Sequence, residues 1–150
     1  MIEPLSRLIP CRAVSGTNVE VVRRCLSAIE AGEVEFVVGM LDPNVEVTPS
    51  SDLFSGSSSA YRGHAGARRW FAEVSARWSS VRFTPHEFFD LGEHVFVGGT
   101  HSAQGADREE EEYGASVWTF QSGLIKNVCA YPSRDEALAA ARRIAPQADA

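Results

Sequence analysis

The stretch that most limits what this chain can become is Tyr61-Arg62-Gly63-His64-Ala65-Gly66, which runs straight into Ala67-Arg68-Arg69-Trp70-Phe71. Beyond the glycines, Ala67, Trp70, Phe71, Val74 and Trp78 recur every three or four residues, so on a helix they form one apolar stripe. Two tryptophans and a phenylalanine on one helix face need a broad apolar surface to cover, and a curved sheet supplies one. Four strand-like runs follow, at residues 81–91, 94–104, 112–121 and 124–131, and then a short helix.

Before that stretch, Thr17-Asn18-Val19-Glu20 has the form of a capping box, which predicts a helix start there. Val22, Cys25, Leu26 and Ile29 are its expected buried stripe, and Gly32 its end. Val34, Val37, Val38 and Leu41 predict a shorter second helix, stopped at Asp42-Pro43-Asn44 because proline cannot continue it. Residues 45–48 alternate as a first strand. Residues 50–60 form a serine-rich loop holding Asp52, Leu53 and Phe54, a candidate lid or simply a solvated connection.

In the later runs, Pro85 predicts an edge strand or bulge, and Gly98-Gly99 a bend or a close backbone approach. The acidic run at residues 109–112 reads as a solvated hairpin end. Ser122-Gly123 turns the last hairpin, and Ser133-Arg134-Asp135-Glu136 is a second capping box. The expected order is α-α-β-α-β-β-β-β-α. It describes an α+β fold with a cone-shaped, curved, mixed but mostly antiparallel sheet packed on N-terminal helices. Residues 1–16 are expected to be an extension, 17–145 the domain and 146–150 a tail.

A chain of 150 residues with 44% hydrophobic content suits one well-buried core. A net charge of -6 argues against nucleic acid as a partner, and no apolar run reaches bilayer length. Cys11, Cys25 and Cys129 have no metal-ligand or CxxC spacing. With no signal-peptide pattern at the start, they predict reduced thiols and a cytoplasmic location. No histidine–carboxylate spacing suggests a metal site, and no cofactor is expected.

The pattern Tyr61-x-Gly63-x-x-Gly66 leading into an aromatic helix resembles the SnoaL-like branch of the nuclear transport factor 2-like superfamily. So do Phe89-Asp90-Leu91-Gly92-Glu93, the run from Val117-Trp118 to Leu124-Ile125, and Tyr131-Pro132-Ser133-Arg134-Asp135-Glu136. That superfamily contains isomerases, cyclases, hydrolases, dehydratases and binders, so the resemblance implies a fold more than an activity. Compared with its ketosteroid isomerase branch, the oxyanion tyrosine falls on Cys25, and the base aspartate near Pro49 or Ser50, with Asp52 the nearest acid. The second oxyanion acid falls on Ser116, and a supporting tyrosine on Phe71. A thiol and a serine hydroxyl are poor replacements where an enolate must be held, which disfavours the steroid-isomerase mechanism.

His101 is the leading candidate for acid–base chemistry, because imidazole can give or take a proton near neutral pH. The resemblance supports it, since some cyclases of the superfamily use a strand histidine with an aspartate. Asp52 is the second catalytic candidate. Cys25, Phe71, Ser116 and Trp118 are the expected substrate-binding residues, although alternation alone lets Trp118 face either the cone or a subunit contact. His64 is expected at a helix start, His86 at a bulge and His94 on the surface. The outer sheet face, expected to lack a covering helix, suggests a homodimer. Two function classes follow. One is a cofactor-independent isomerase, cyclase or dehydratase acting on a neutral hydrophobic molecule; the other is a non-catalytic small-molecule or protein binding module.

Overall fold

A computed structural model describes residues 10–49, 60–106 and 108–144. The elements are α1 (Pro10–Ala31), α2 (Val34–Gly39), β1 (Leu41–Thr48), β2 (Tyr61–Arg62), α3 (Gly63–Arg77), β3 (Ser80–Asp90), β4 (His94–Gln104), β5 (Glu109–Gln121), β6 (Leu124–Tyr131) and α4 (Arg134–Ile144). Among the described residues, six strands form one curved sheet in the order β2-β1-β6-β5-β4-β3. Of the pairs among these described strands, β1–β6 is parallel and the others are antiparallel. This is the α+β cone expected from the sequence, with the two-residue strand β2 added.

Three boundaries differ from expectation, each for a tertiary reason. The first helix begins at Pro10, so Thr17 lies inside it and not at its start. Asn18 is buried, and its side-chain nitrogen donates to the Gly92 carbonyl at 3.1 Å. The second helix ends at Gly39, and Leu41, expected on its inward face, already pairs with Ile125 in β1. Asp42-Pro43-Asn44 then bulges out of register, with the Asn44 amide donating to Asp42 Oδ1 at 2.7 Å. A turn of this kind lets the strand carry a proline without losing its pairing.

The motif around Tyr61 has a clear physical basis. Gly63 sits at φ +72, a left-handed value that suits glycine at the start of α3. A Cβ at Gly66 would lie 3.1 Å from the Tyr61 carbonyl carbon, so the helix can sit close against the buried Tyr61. The Tyr61 hydroxyl donates to Glu73 at 2.6 Å, and a His64 ring nitrogen lies 2.9 Å from the Leu41 carbonyl oxygen. These contacts fix α3 across β1.

The concave side holds the main core, where Val22, Cys25, Tyr61, Val95, Val97 and Ile125 are all essentially sealed. The convex side has a smaller core of its own. Ala137 and Ala141 of α4 pack on Phe96, Ala115 and Val117. The outer face therefore has a covering helix, contrary to the expectation behind the homodimer. Ser133 caps α4 as the sequence suggests, its Oγ accepting from the Glu136 amide at 3.2 Å.

Candidate functional site

Between α1, α3 and the concave sheet lies a cavity of about 140 Å³. Its walls are mostly apolar: Leu26 and Ile29 from α1, Trp70 and Phe71 from α3, Phe83 from β3 and Trp118 from β5. Alternation along β4 and β5 turns His101, Ser116 and Trp118 to this side, since Val97 pairs with Ser116 and Val95 with Trp118. The question left open for Trp118 is thus answered by the geometry: it is buried and faces the cone.

Of the six residues expected at the site, the structure brings four together: Phe71, Ser116, Trp118 and His101 all line the cavity. Cys25 does not. It is fully buried in the core beside the cavity, and burial pushes its thiol up to about 12, so it stays protonated. The helical stripe placed Cys25 inward, but the same stripe serves both core and cavity. Asp52 lies outside the described residues. Pro49, one of the positions where the resemblance put a base, is a cavity residue.

His101 combines several restraints. Its ring packs on Phe83, its cross-strand partner, with centroids 4.7 Å apart. Burial pushes the imidazole down to about 4, so it is neutral at pH 7. The indole Nε1 of Trp118 donates to Ser116 Oγ at 2.9 Å. A hydroxyl that accepts from a buried donor is polarised toward donating its own proton, here at the cavity wall.

Sequence reasoning missed Glu30 and Phe83. Glu30 lines the cavity, and one of its carboxylate oxygens accepts from the Phe83 amide at 3.1 Å, tying α1 to β3. Its place next to Ile29 at the edge of the buried stripe was the available signal. His86 is at the bulge, as expected, 3.0 Å from Thr100 Oγ1. His94 is half-buried rather than on the surface. Its Nδ1 lies 3.1 Å from Thr119 Oγ1, and burial holds its pKa below the usual value, with Glu93 opposing.

A helix-backed curved sheet closed around an apolar cavity defines a protein of the NTF2-like cone fold. The chain belongs to the SnoaL-like domain family, whose model matches residues 22–128. Among solved structures it is similar to an NTF2-like protein from Burkholderia pseudomallei K96243, at 24% identity and a TM-score of 0.69, over 81% of this chain and 95% of that one. It is also similar to TerC co-crystallised with polyporic acid, at 20% identity and a TM-score of 0.67, over 79% and 93%. A third is a protein of ketosteroid isomerase-like fold from Catenulispora acidiphila DSM 44928 in complex with trimethylamine, at 16% identity and a TM-score of 0.65, over 80% and 90%. At these identities the likeness shows the fold alone. No curated protein matches this chain. Among the described residues, no helix is long and apolar enough to cross a membrane.

Proposed function

We propose that the cavity takes up a neutral, flat, largely hydrophobic small molecule and that His101 moves a proton on it without a cofactor, as in an isomerase, cyclase or dehydratase. The observation that carries this is the position of a neutral imidazole and a polarised Ser116 hydroxyl in a mostly apolar cavity whose lining also carries Glu30 and Arg82. Such a site orients one oxygen of a ligand while the walls hold its apolar body. Neutral His101 would accept the proton, and Ser116 would donate a hydrogen bond to an oxygen gaining charge. Asp52 is a second acid–base candidate in this reading. The relatives bound to polyporic acid and trimethylamine make a small-molecule site a reasonable use of the fold.

A second reading, a binding module, is favoured by one specific feature: an imidazole with a pKa of about 4 is a weak base. The experiment that separates them uses a thermal-shift screen of neutral aromatic and alicyclic compounds. A ligand at a hundred times its Kd stabilises the fold by about 2.7 kcal/mol, a melting shift of roughly 5–10 °C. Trp118→Phe should alter that shift, and an unchanged shift would remove the cavity as the binding site. For the hit compounds, His101→Gln that loses turnover but keeps binding supports the enzyme. Absence of turnover in both proteins leaves the binder.

The proposal also includes a cytoplasmic location, where the free thiols of Cys25 and Cys129 would stay reduced. Pairing of two copies through the outer face around the exposed Tyr113 completes it. Light scattering that reports a monomer at micromolar concentration would remove that last element.

A further inference from the structure

We infer that Gly114 is a positioning residue for His101, its missing side chain being the space in which the imidazole lies. The inference rests on the reading of His101 as the polar point of the cavity. On β5, Gly114 pairs with Gly99, two residues along β4 from His101 and on the same face of the sheet. A Cβ built at 114 would overlap the Cδ2 and Nε2 atoms of His101. The ring therefore lies down across the strand pair instead of standing away from it.

Its opposite side is held by Phe83, and the phenyl ring in turn reaches over Gly99, where a Cβ would stand 2.9 Å from Phe83 Cζ. The cross-strand pair Gly99–Gly114 thus forms a flat floor on which two rings rest. Larger residues at either position would lift a ring off that floor, out of the contacts that bury it. Gly99 is the poorer test, because a Cβ there would also overlap the Thr84 carbonyl oxygen of the neighbouring strand.

Gly114 is the cleaner test. It is not among the glycines with positive φ, so its backbone accepts alanine, and only the imidazole stands in the way. The charged residues that pair with His101 or share the cavity lining with it are Glu112, opposite it on β5, Arg82 on β3 and Glu30 on α1. Burial, not these charges, is what depresses the imidazole, so displacing the ring should restore ordinary titration.

NMR of the His101 ring protons, assigned by their loss in His101→Gln, reads this directly. In the unaltered protein they should keep neutral-imidazole shifts down to about pH 4. In Gly114→Ala they should titrate near the ordinary value of about 6.5. Unchanged titration in a folded Gly114→Ala would overturn the inference, as would ordinary titration in the unaltered protein. Should Gly114→Ala not fold, the double variant Gly114→Ala/His101→Ala decides. With the imidazole gone the methyl group has room, so it should fold with a melting temperature within about 2 °C of His101→Ala. A double variant that also fails to fold would overturn the inference. Failure of the ligand reading looks different: His101→Gln would leave ligand binding and turnover unchanged while the titration result still held.

Discussion

The indole N–H of Trp118 is satisfied by the hydroxyl of Ser116, two residues back on the same strand face, at 2.9 Å. Trp118 is 5% exposed, so its donor has little access to water and depends on that oxygen. Ser116→Ala should therefore leave a buried N–H unpaired, at a cost of about 1–3 kcal/mol. In a Trp118→Phe background the same substitution should cost much less, because no donor remains. Denaturant titration of the four proteins measures this, and equal costs in both backgrounds would show that the bond contributes nothing.

That pair was legible as a shared face, because alternation puts Ser116 and Trp118 on one side of any strand. Which side was not legible, since both faces of β5 carry apolar residues: Trp118 inward, Val117 outward under α4. The Ser133 cap was readable because a capping box is local. The helix start expected at Thr17 was misplaced, since the helix already runs from Pro10, and Asn18 is instead committed to Gly92, a contact between residues far apart in sequence. Cys25 shows the same limit at the site, where one helical stripe supplies residues to both the core and the cavity wall.

Burial of Cys25 predicts an inert thiol. With its pKa near 12, roughly one molecule in ten thousand carries the reactive thiolate at pH 8, apart from the lack of access. Maleimide labelling followed by peptide mass spectrometry should find Cys25 unmodified in the native protein and modified in denaturant. Rapid native labelling would place Cys25 at the cavity after all.

The aromatic residues on α3 and at Trp78, the extended residue that follows it, are not uniform in burial, and their truncations should differ accordingly. Trp78 is 3% exposed, packed with Val74 and Ala103 and flanked by the guanidinium of Arg108, 4.7 Å from its ring centroid. Trp78→Ala should cost about 3–5 kcal/mol. Phe71 is only half-buried because it borders the cavity, so Phe71→Ala should cost less than half as much. A reversed order in denaturant titrations would mean that the cavity, not Trp78, is the better-packed end of the helix.

The pH dependence of stability should carry the signature of His101. Its imidazole is held down at about 4 in the folded chain against 6.5 for the free group. Between those values the unfolded chain binds a proton that the folded chain does not, so stability rises with pH across this window. The contribution is fully present above about 6.5 and is lost as pH falls toward 4. The shift corresponds to about 3 kcal/mol at most. Carboxylates also protonate at the lower end, so the informative quantity is the difference between the unaltered protein and His101→Gln. Denaturant titrations at pH 7, 6, 5 and 4 should show the unaltered protein losing more stability than the variant, mainly between pH 6 and pH 4. Parallel losses would mean that the imidazole reaches water, and that its place in the cavity wall does not keep it neutral.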